Sequence, residues 1–461
     1  MVVSCKESEL DLFPYNQVET SQAFLTQPDI TLAVNGMYNG IRGSGSYYQG
    51  TWNIIADVLA DNLTFNVTGR QSLRTFYQWQ YTGEATYGLF NGGYSIARRA
   101  NAILENIDGF ADGQFKNNAK GEALAIRAMI YFDMSRVYSK TYLNANATDS
   151  TTSYVTSTDA TQLPTKEPVR PFYDKVIADL VLSSSLINVN NGVGRLNKAA
   201  VEGLLSRVYL YKGDYAASIT SANNSLGTTP NITSIANFPL IFRDASEAGV
   251  LFKIRNTTID NSNTLGVNYY QTVGGGKRSE YVADFDFFNT YSSNDVRKTT
   301  YFETSVYNGT SQNHIIKYAG RPGQPAGVLD AKVIRTAEVL LNRAESRYRQ
   351  NDFTGALQDL NLLKVNRYTG HINVILIGQA LLDEIFKERR LELAYEGDRF
   401  FDLKRRNLPV VRNPLTGERA NGTGTVPVFA TLAASDYRFQ LPYPQAELNF
   451  NKNFKQNPGY K

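Results

Sequence analysis

The sequence predicts a mainly α-helical protein. Tetratricopeptide-like helix pairs form a scaffold, and an irregular, loop-rich insertion carries short β segments. Three observations predict this. Apolar residues recur at three-to-four spacing near 28–41, 87–107, 118–138 and 171–187. The stretch 196–226 reads as two helices around a tight turn, with small residues (Ala200, Gly203, Ala217, Ala222) where helices cross closely. A second copy of that pattern returns at 334–364, so the repeats are not contiguous.

Taken in order, Met-Val-Val-Ser before Cys5 resembles the end of a bacterial lipoprotein signal, with cleavage just before the cysteine. Acylated Cys5 would anchor the chain by hydrocarbon rather than by a helix. This reading assigns 1–4 to the signal and 5–20 to a lipidated tether. Residues 21–230 form an N-terminal helical part. Residues 231–461 form a C-terminal part with the insertion (231–331) and tetratricopeptide-like helices (332–397). Ile30, Val34, Met37, Tyr38 and Ile41 set the first helix, with Gly43-Ser44-Gly45 as its stop. Residues 47–85 read as loop-rich and aromatic, and 141–169 as a long polar loop. Lys212-Gly213-Asp214-Tyr215 supplies a glycine C-cap followed by an aspartate N-cap; Asn351-Asp352-Phe353 repeats it. Within 228–331 the runs Val250–Ile254 and Ile315–Tyr318 look β-like, and the tail 408–461 looks mostly irregular.

The composition narrows the function. The chain has 461 residues, 42% hydrophobic and 20% charged, with a net charge of +4, so nucleic acid is not implied. A single cysteine excludes an internal disulfide, and two distant histidines, His314 and His371, argue against a His/Cys metal site. Gly274-Gly275-Gly276-Lys277 lacks the strand–loop–helix setting and the Ser/Thr of a phosphate loop. The sequence calls for no catalytic residue, metal or cofactor.

Residues 384–406 read as a long amphipathic helix running into a charged, aromatic turn. Leu382, Ile385, Phe386 and Leu393 make its apolar stripe. Asp383 with Lys387, and Arg389 with Glu392, can pair along its surface, and Gly397 offers the stop. So much charge in a regular apolar pattern points to ion pairs locking a corner of the fold, on a helix with a solvated face. Glu388, Glu392 and Glu396 show no spacing that acid–base work requires.

With these residues in view, the chain resembles the SusD/RagB family of Bacteroidetes outer-membrane lipoproteins along nearly its whole length. The resemblance rests on Glu388-Arg389-Arg390-x-Glu392-Leu393-Ala394-x-Glu396-Gly397-x-Arg399-x-x-Asp402-Leu403. It also rests on Arg335-x-Ala337-Glu338-Val339-Leu340-Leu341-x-x-Ala344-Glu345, on Gly121-Glu122-Ala123 with Arg127-Ala128-x-x-Tyr131-Phe132, and on the ending from Leu441-Pro442 to Pro458-Gly459-Tyr460. It implies a SusD-like α-α superhelix and a lipid-anchored protein on the outer face of the outer membrane. Such a protein is no enzyme; it captures oligosaccharides, or in some branches peptides, as the lid of a SusC-like TonB-dependent transporter. In the family the tetratricopeptide helices pack against the transporter and loops on another face hold ligand. A pyranose lays its apolar face on an aromatic ring while its hydroxyls seek amides, carboxylates or guanidinium groups. The resemblance places a stacking tryptophan before the helix near 87–107, which selects Trp79 with Gln80 and Tyr81. Tyr269, Tyr270 and Tyr281, with Arg278 as polar partner, are the second choice. The rivals are a peptide-binding lid, a helical-repeat scaffold that binds only protein, and, more distantly, a glycosidase.

Overall fold

Apolar spacing builds the N-terminal helices. Ile30, Val34, Met37 and Ile41 form the buried stripe of α1 (Gln27–Arg42). Thr26 and Asp29 cap its start: the Thr26 N–H donates to Asp29 Oδ2 at 2.8 Å, and the Asp29 N–H returns to Thr26 Oγ1 at 3.4 Å. The computed structural model describes residues 22–42, 47–48, 50–84, 88–259, 264–274, 276–325 and 327–460. Cys5, the tether, the Gly43-Ser44-Gly45 stop and Gly275 lie outside these.

The expectation of loops over 47–85 is corrected. Thr51–Val58 is a helix, α2, buried on every side, and Arg74–Tyr77 forms a short α3. A helix with no solvated face shows no apolar–polar period, so periodicity misses it. The Arg412 guanidinium closes the end of α2, donating to the carbonyls of Val58 (3.0 Å), Ala60 (2.8 Å) and Tyr77 (2.6 Å).

Next come α4 (Leu89–Asn106), α5 (Gln114–Tyr138) and α6 (Val169–Leu186). Gly121 of α5 lets the end of α6 approach: a Cβ there would stand 2.8 Å from the Ile187 nitrogen. The polar stretch between α5 and α6 is irregular apart from Ser150–Thr151 paired with Glu167–Pro168.

The first tetratricopeptide-like pair is α7 (Lys198–Lys212) with α8 (Tyr215–Leu226). Gly213 takes the left-handed conformation (φ 80°), and Asp214 accepts from the Ala217 N–H at 3.2 Å. Four short helices follow in the insertion: α9 (Phe238–Ile241), α10 (Thr264–Tyr269), α11 (Phe285–Asn289) and α12 (Val296–Tyr301). The second pair is α13 (Thr336–Arg349) with α14 (Phe353–Val365). There Asn351 takes the left-handed turn (φ 64°) and Asp352 caps through the Gly355 N–H at 2.9 Å. The pairs meet where Gly203 leaves room: a Cβ would lie 3.0 Å from Val339 Cγ2.

The insertion's main sheet is antiparallel, in the order Leu63–Phe65, Tyr281–Ala283, Thr310–Ile315, Phe302–Tyr307. Val250–Ile254 is a strand as expected and pairs with Ala331–Arg335; the second β-like run falls at Thr310–Ile315 rather than at 315–318. Gln271–Val273 and Gly276–Arg278 form a hairpin, and Lys277 is ion-paired with Glu303, not poised over a phosphate loop.

The charged stretch ends sooner than expected. Helix α15 (Gly378–Glu392) stops before Gly397, and α16 (Arg399–Arg405) follows; α17 (Gln445–Phe450) lies in the otherwise irregular tail. The apolar stripe of α15 is buried, but so are Glu388, Arg389 and Glu392, so the solvated face lies elsewhere. Arg367 grips Glu392 with two bonds (2.8 and 2.9 Å), and Arg335 adds a third at 2.7 Å. Arg335 also holds Glu396, and Arg297 bridges Asp295 and Glu388. Neither expected surface pair forms: Lys387 pairs with Glu384, and Arg389 with Asp398 and Asp402. Burial pushes the Glu392 carboxyl up, but Arg367 and Arg335 outweigh it and hold it well below the usual range.

Candidate functional site

A cleft of about 390 Å³ opens where the first half of α4 faces the loop at 155–164 and the C-terminal segment. Phe90, Tyr94, Tyr131 and Phe454 supply its aromatic lining. Phe90 meets Tyr94 edge to face at 4.9 Å and Phe454 at 5.8 Å, so the rings brace one another. Tyr94 remains partly exposed. Its hydroxyl is tied to Thr152 and to the Ser153 carbonyl, and burial pushes the phenol up to about 12.

The rim is polar. Asn91, Ser95 and Arg98 fall at helical spacing along α4 and stand exposed, facing Gln162 and Asp159 of the loop. Glu447 of α17 lines the far side; burial raises its carboxyl, with Asn451 bonding against that. Thr161 holds the Asp159 carboxyl below its usual value through side-chain and backbone bonds.

The loop wall is anchored from behind. Asn101 donates from Nδ2 to the carbonyls of Val155 (3.0 Å) and Ser157 (3.3 Å), while its Oδ1 accepts from Arg127 Nη1 at 3.0 Å. Arg127 is itself fixed by two bonds to Asp179 (2.7 and 3.0 Å). The Tyr131 hydroxyl donates to the Val155 carbonyl at 2.8 Å, and Glu105 accepts from the Thr158 N–H at 2.7 Å. The Arg127 and Tyr131 of the sequence motif thus shape this wall. The arrangement offers one partly exposed ring, Tyr94, backed by the buried Phe90, Tyr131 and Phe454, with amides, one guanidinium and two carboxyls on a rigid frame, and its volume suits a small polar ligand.

None of the residues selected from sequence lines this cleft. Trp79 is 2% exposed. It sits at φ 52°, its Nε1 donates to the Leu59 carbonyl at 2.9 Å, and the Arg412 guanidinium lies 4.2 Å from its ring centroid. Tyr81 is buried, stacked on Phe76 at 4.9 Å. Tyr269 stacks on Tyr318 at 5.8 Å, and Tyr281 packs edge-on to Phe65 at 5.7 Å; both are fully buried. These four rings are core, and the expectation that they present a stacking face is corrected. Gln80 is exposed. Tyr270 and Arg278 are partly exposed at the Gln271–Arg278 hairpin, where Lys277 lies 5.1 Å from the Tyr270 ring and Arg278 donates to Gln271 at 3.2 Å. The sequence signal for the cleft was the aromatic and polar spacing Phe90, Asn91, Tyr94, Ser95, Arg98 on one helix.

The fold and the cleft define a class: a tetratricopeptide-type scaffold holding an open cleft. A model of the SusD family matches residues 256–460, and one described as starch-binding associating with outer membrane matches residues 10–210. The chain belongs to the SusD family. It is 25% identical to SusD-like protein P2 of Formosa agariphila, over 100% of this chain and 97% of that one. A crystal structure of a putative sugar binding protein from Bacteroides vulgatus superposes with a TM-score of 0.84 at 26% identity, covering 95% of this chain and 100% of that one. A SusD superfamily protein from Bacteroides thetaiotaomicron shares the fold, with a TM-score of 0.82 at 24% identity over 94% of this chain and 100% of that one. Among the described residues no helix is long and apolar enough to cross a membrane.

Proposed function

We propose that this is a cell-surface carbohydrate-binding lipoprotein, anchored through Cys5 to the outer membrane. It captures oligosaccharides in the α4 cleft and passes them to a SusC-like TonB-dependent transporter, for which it acts as the lid. The observation that carries the reading is the cleft's chemistry: the partly exposed Tyr94 ring, backed by buried aromatics, beside a rim that mixes the neutral Asn91, Ser95 and Gln162 with charges of both signs. Sugar rings need that combination, whereas a peptide-binding cavity would be more strongly charged. The family and the similarity to a putative sugar binding protein support it. Binding needs no reacting group, and the reading assigns none. Gln80, Tyr270 and Arg278 extend the proposal to surface contacts with a longer chain.

The transporter side is assigned to the tetratricopeptide pairs. Beside the second pair, the segment joining α14 to α15 exposes Ile372, Ile375 and Ile377 by 85, 88 and 81%. So much clustered apolar surface supports a protein contact there. Calorimetric titration of the soluble chain against a panel of oligosaccharides, with Tyr94→Ala in parallel, tests the binding half of the reading. Saturable binding lost in the variant supports it, and binding to peptides alone refutes it.

A further inference from the structure

The α4 cleft is uneven in charge. Arg98 and Asp159 stand on its loop side, where Arg98 Nε donates to the Thr158 carbonyl at 3.3 Å. Asp159 Oδ1 accepts from the hydroxyl and the N–H of Thr161 (2.7 and 2.9 Å), bonds that hold its carboxyl below the ordinary value. The other side is built by α17 and the segment after it. It brings Glu447 and Phe454 to the cleft, so its charge is negative alone.

Glu447 is half-buried, and among the described residues no lysine or arginine pairs with it. Burial raises its carboxyl; a bond from Asn451 opposes this, and no cationic side chain does. A carboxylate drawn from water without a cation is costly, and a bound cation relieves it. Its charge also reaches the aromatic wall. Burial is the main reason that the Tyr94 phenol is raised, and Glu447 adds to that rise. A partly exposed ring and an unmatched carboxylate thus face one space. Sugar hydroxyls are already served by Asn91, Ser95 and Gln162, so a neutral sugar would leave the Glu447 charge unmatched. A positive substituent on a ring stacked at Tyr94 would gain from both groups.

We propose that the α4 cleft selects amino sugars: the unsubstituted ammonium group of the saccharide pairs with Glu447 while its ring lies on Tyr94. The inference rests on the α4 cleft being the sugar site, and it names the class of sugar. The test is calorimetry at low ionic strength, just below neutral pH, on the full chain with Cys5→Ser. The probes are trisaccharides on a glucose and on a galactose backbone, each as the hydroxyl, free-amine and acetamide form. Glu447→Gln and Tyr94→Ala are run in parallel. The expected result is that, on at least one backbone, the free-amine form binds roughly tenfold tighter than the other two, a preference that salt weakens. Glu447→Gln should erase the preference, keep the affinity for the hydroxyl form and leave the melting temperature no lower. Tyr94→Ala should abolish binding of every form. Equal binding of the three forms, or a preference that survives Glu447→Gln, overturns the inference; if Tyr94→Ala still abolishes binding, the α4 cleft remains the sugar site. Failure of every free-amine form to bind also overturns it, and a wider panel of neutral oligosaccharides then judges the cleft by itself.

Discussion

Arg367 and Glu392 form a two-point ion pair at 2.8 and 2.9 Å, with neither side chain reaching solvent. Around it stand Arg335 and Arg297, and beyond them Glu396, Glu388 and Asp295. The pair ties α15 to Arg367, two residues past the end of α14. Such a network costs desolvation, and it is tolerated because each charge has a partner.

Breaking one partner is therefore severe. Glu392→Gln leaves three guanidinium groups under-compensated and should destabilise the fold by about 3–5 kcal/mol, read by urea denaturation. The acid limb follows the sign of the shift. The Glu392 carboxyl is depressed, so its contribution is full above the ordinary carboxylate range near 4.5 and is lost as pH falls toward the folded value. The Glu392→Gln variant should lose less stability than the parent over that range.

Asp57 behaves in the opposite way. Burial pushes its carboxyl up from 3.8 to about 7, beyond what bonds from Asn62 and the Tyr395 N–H restore. The native state then holds a proton the unfolded chain has lost, so stability falls as pH rises from about 4 to 7. Asp57→Asn removes that slope. The gap in melting temperature, variant minus parent, should widen across this window and level off above it.

On the proposed reading, Trp79 serves structure and Tyr94 serves recognition. Trp79→Ala empties a buried site and orphans the Leu59 carbonyl, at a cost of about 3–5 kcal/mol in denaturant melts. Tyr94→Ala keeps the braced rings beneath it and should abolish glycan binding while the far-UV spectrum stays unchanged.

How much of this was legible in the sequence depended on locality. The helix pairs were readable because their turns are written in adjacent residues, Gly213 before Asp214 and Asn351 before Asp352. Helix α2 was not, because burial on all sides erases its period. Trp79 looked like a platform because its cover, Arg412, lies far along the chain. The charged motif around Glu392 signalled ion pairs, but its true partners, Arg297, Arg335 and Arg367, come from distant segments. The cleft was hidden because its wall forms only when Asn101 and Arg127 fix the 155–158 backbone.

That wall gives a test without ligand contact. Arg127→Met removes the charge that holds Asn101 and leaves Asp179 of α6 with the Tyr154 hydroxyl but no cation. Glycan affinity should fall roughly tenfold through loss of pre-organisation, with faster amide hydrogen exchange over 155–158.

The apolar segment past α14 gives another. Ile375→Asp with Ile377→Asp should leave glycan affinity unchanged and lower co-purification with the proposed transporter, because both side chains are exposed.

The most direct measurement is affinity electrophoresis of the soluble chain across a panel of polysaccharides, with Tyr94→Ala and Trp79→Ala alongside. The account predicts retardation on at least one glycan that Tyr94→Ala abolishes and that any folded fraction of Trp79→Ala retains. Retardation untouched by Tyr94→Ala, or none on any glycan while a peptide library binds, would contradict it.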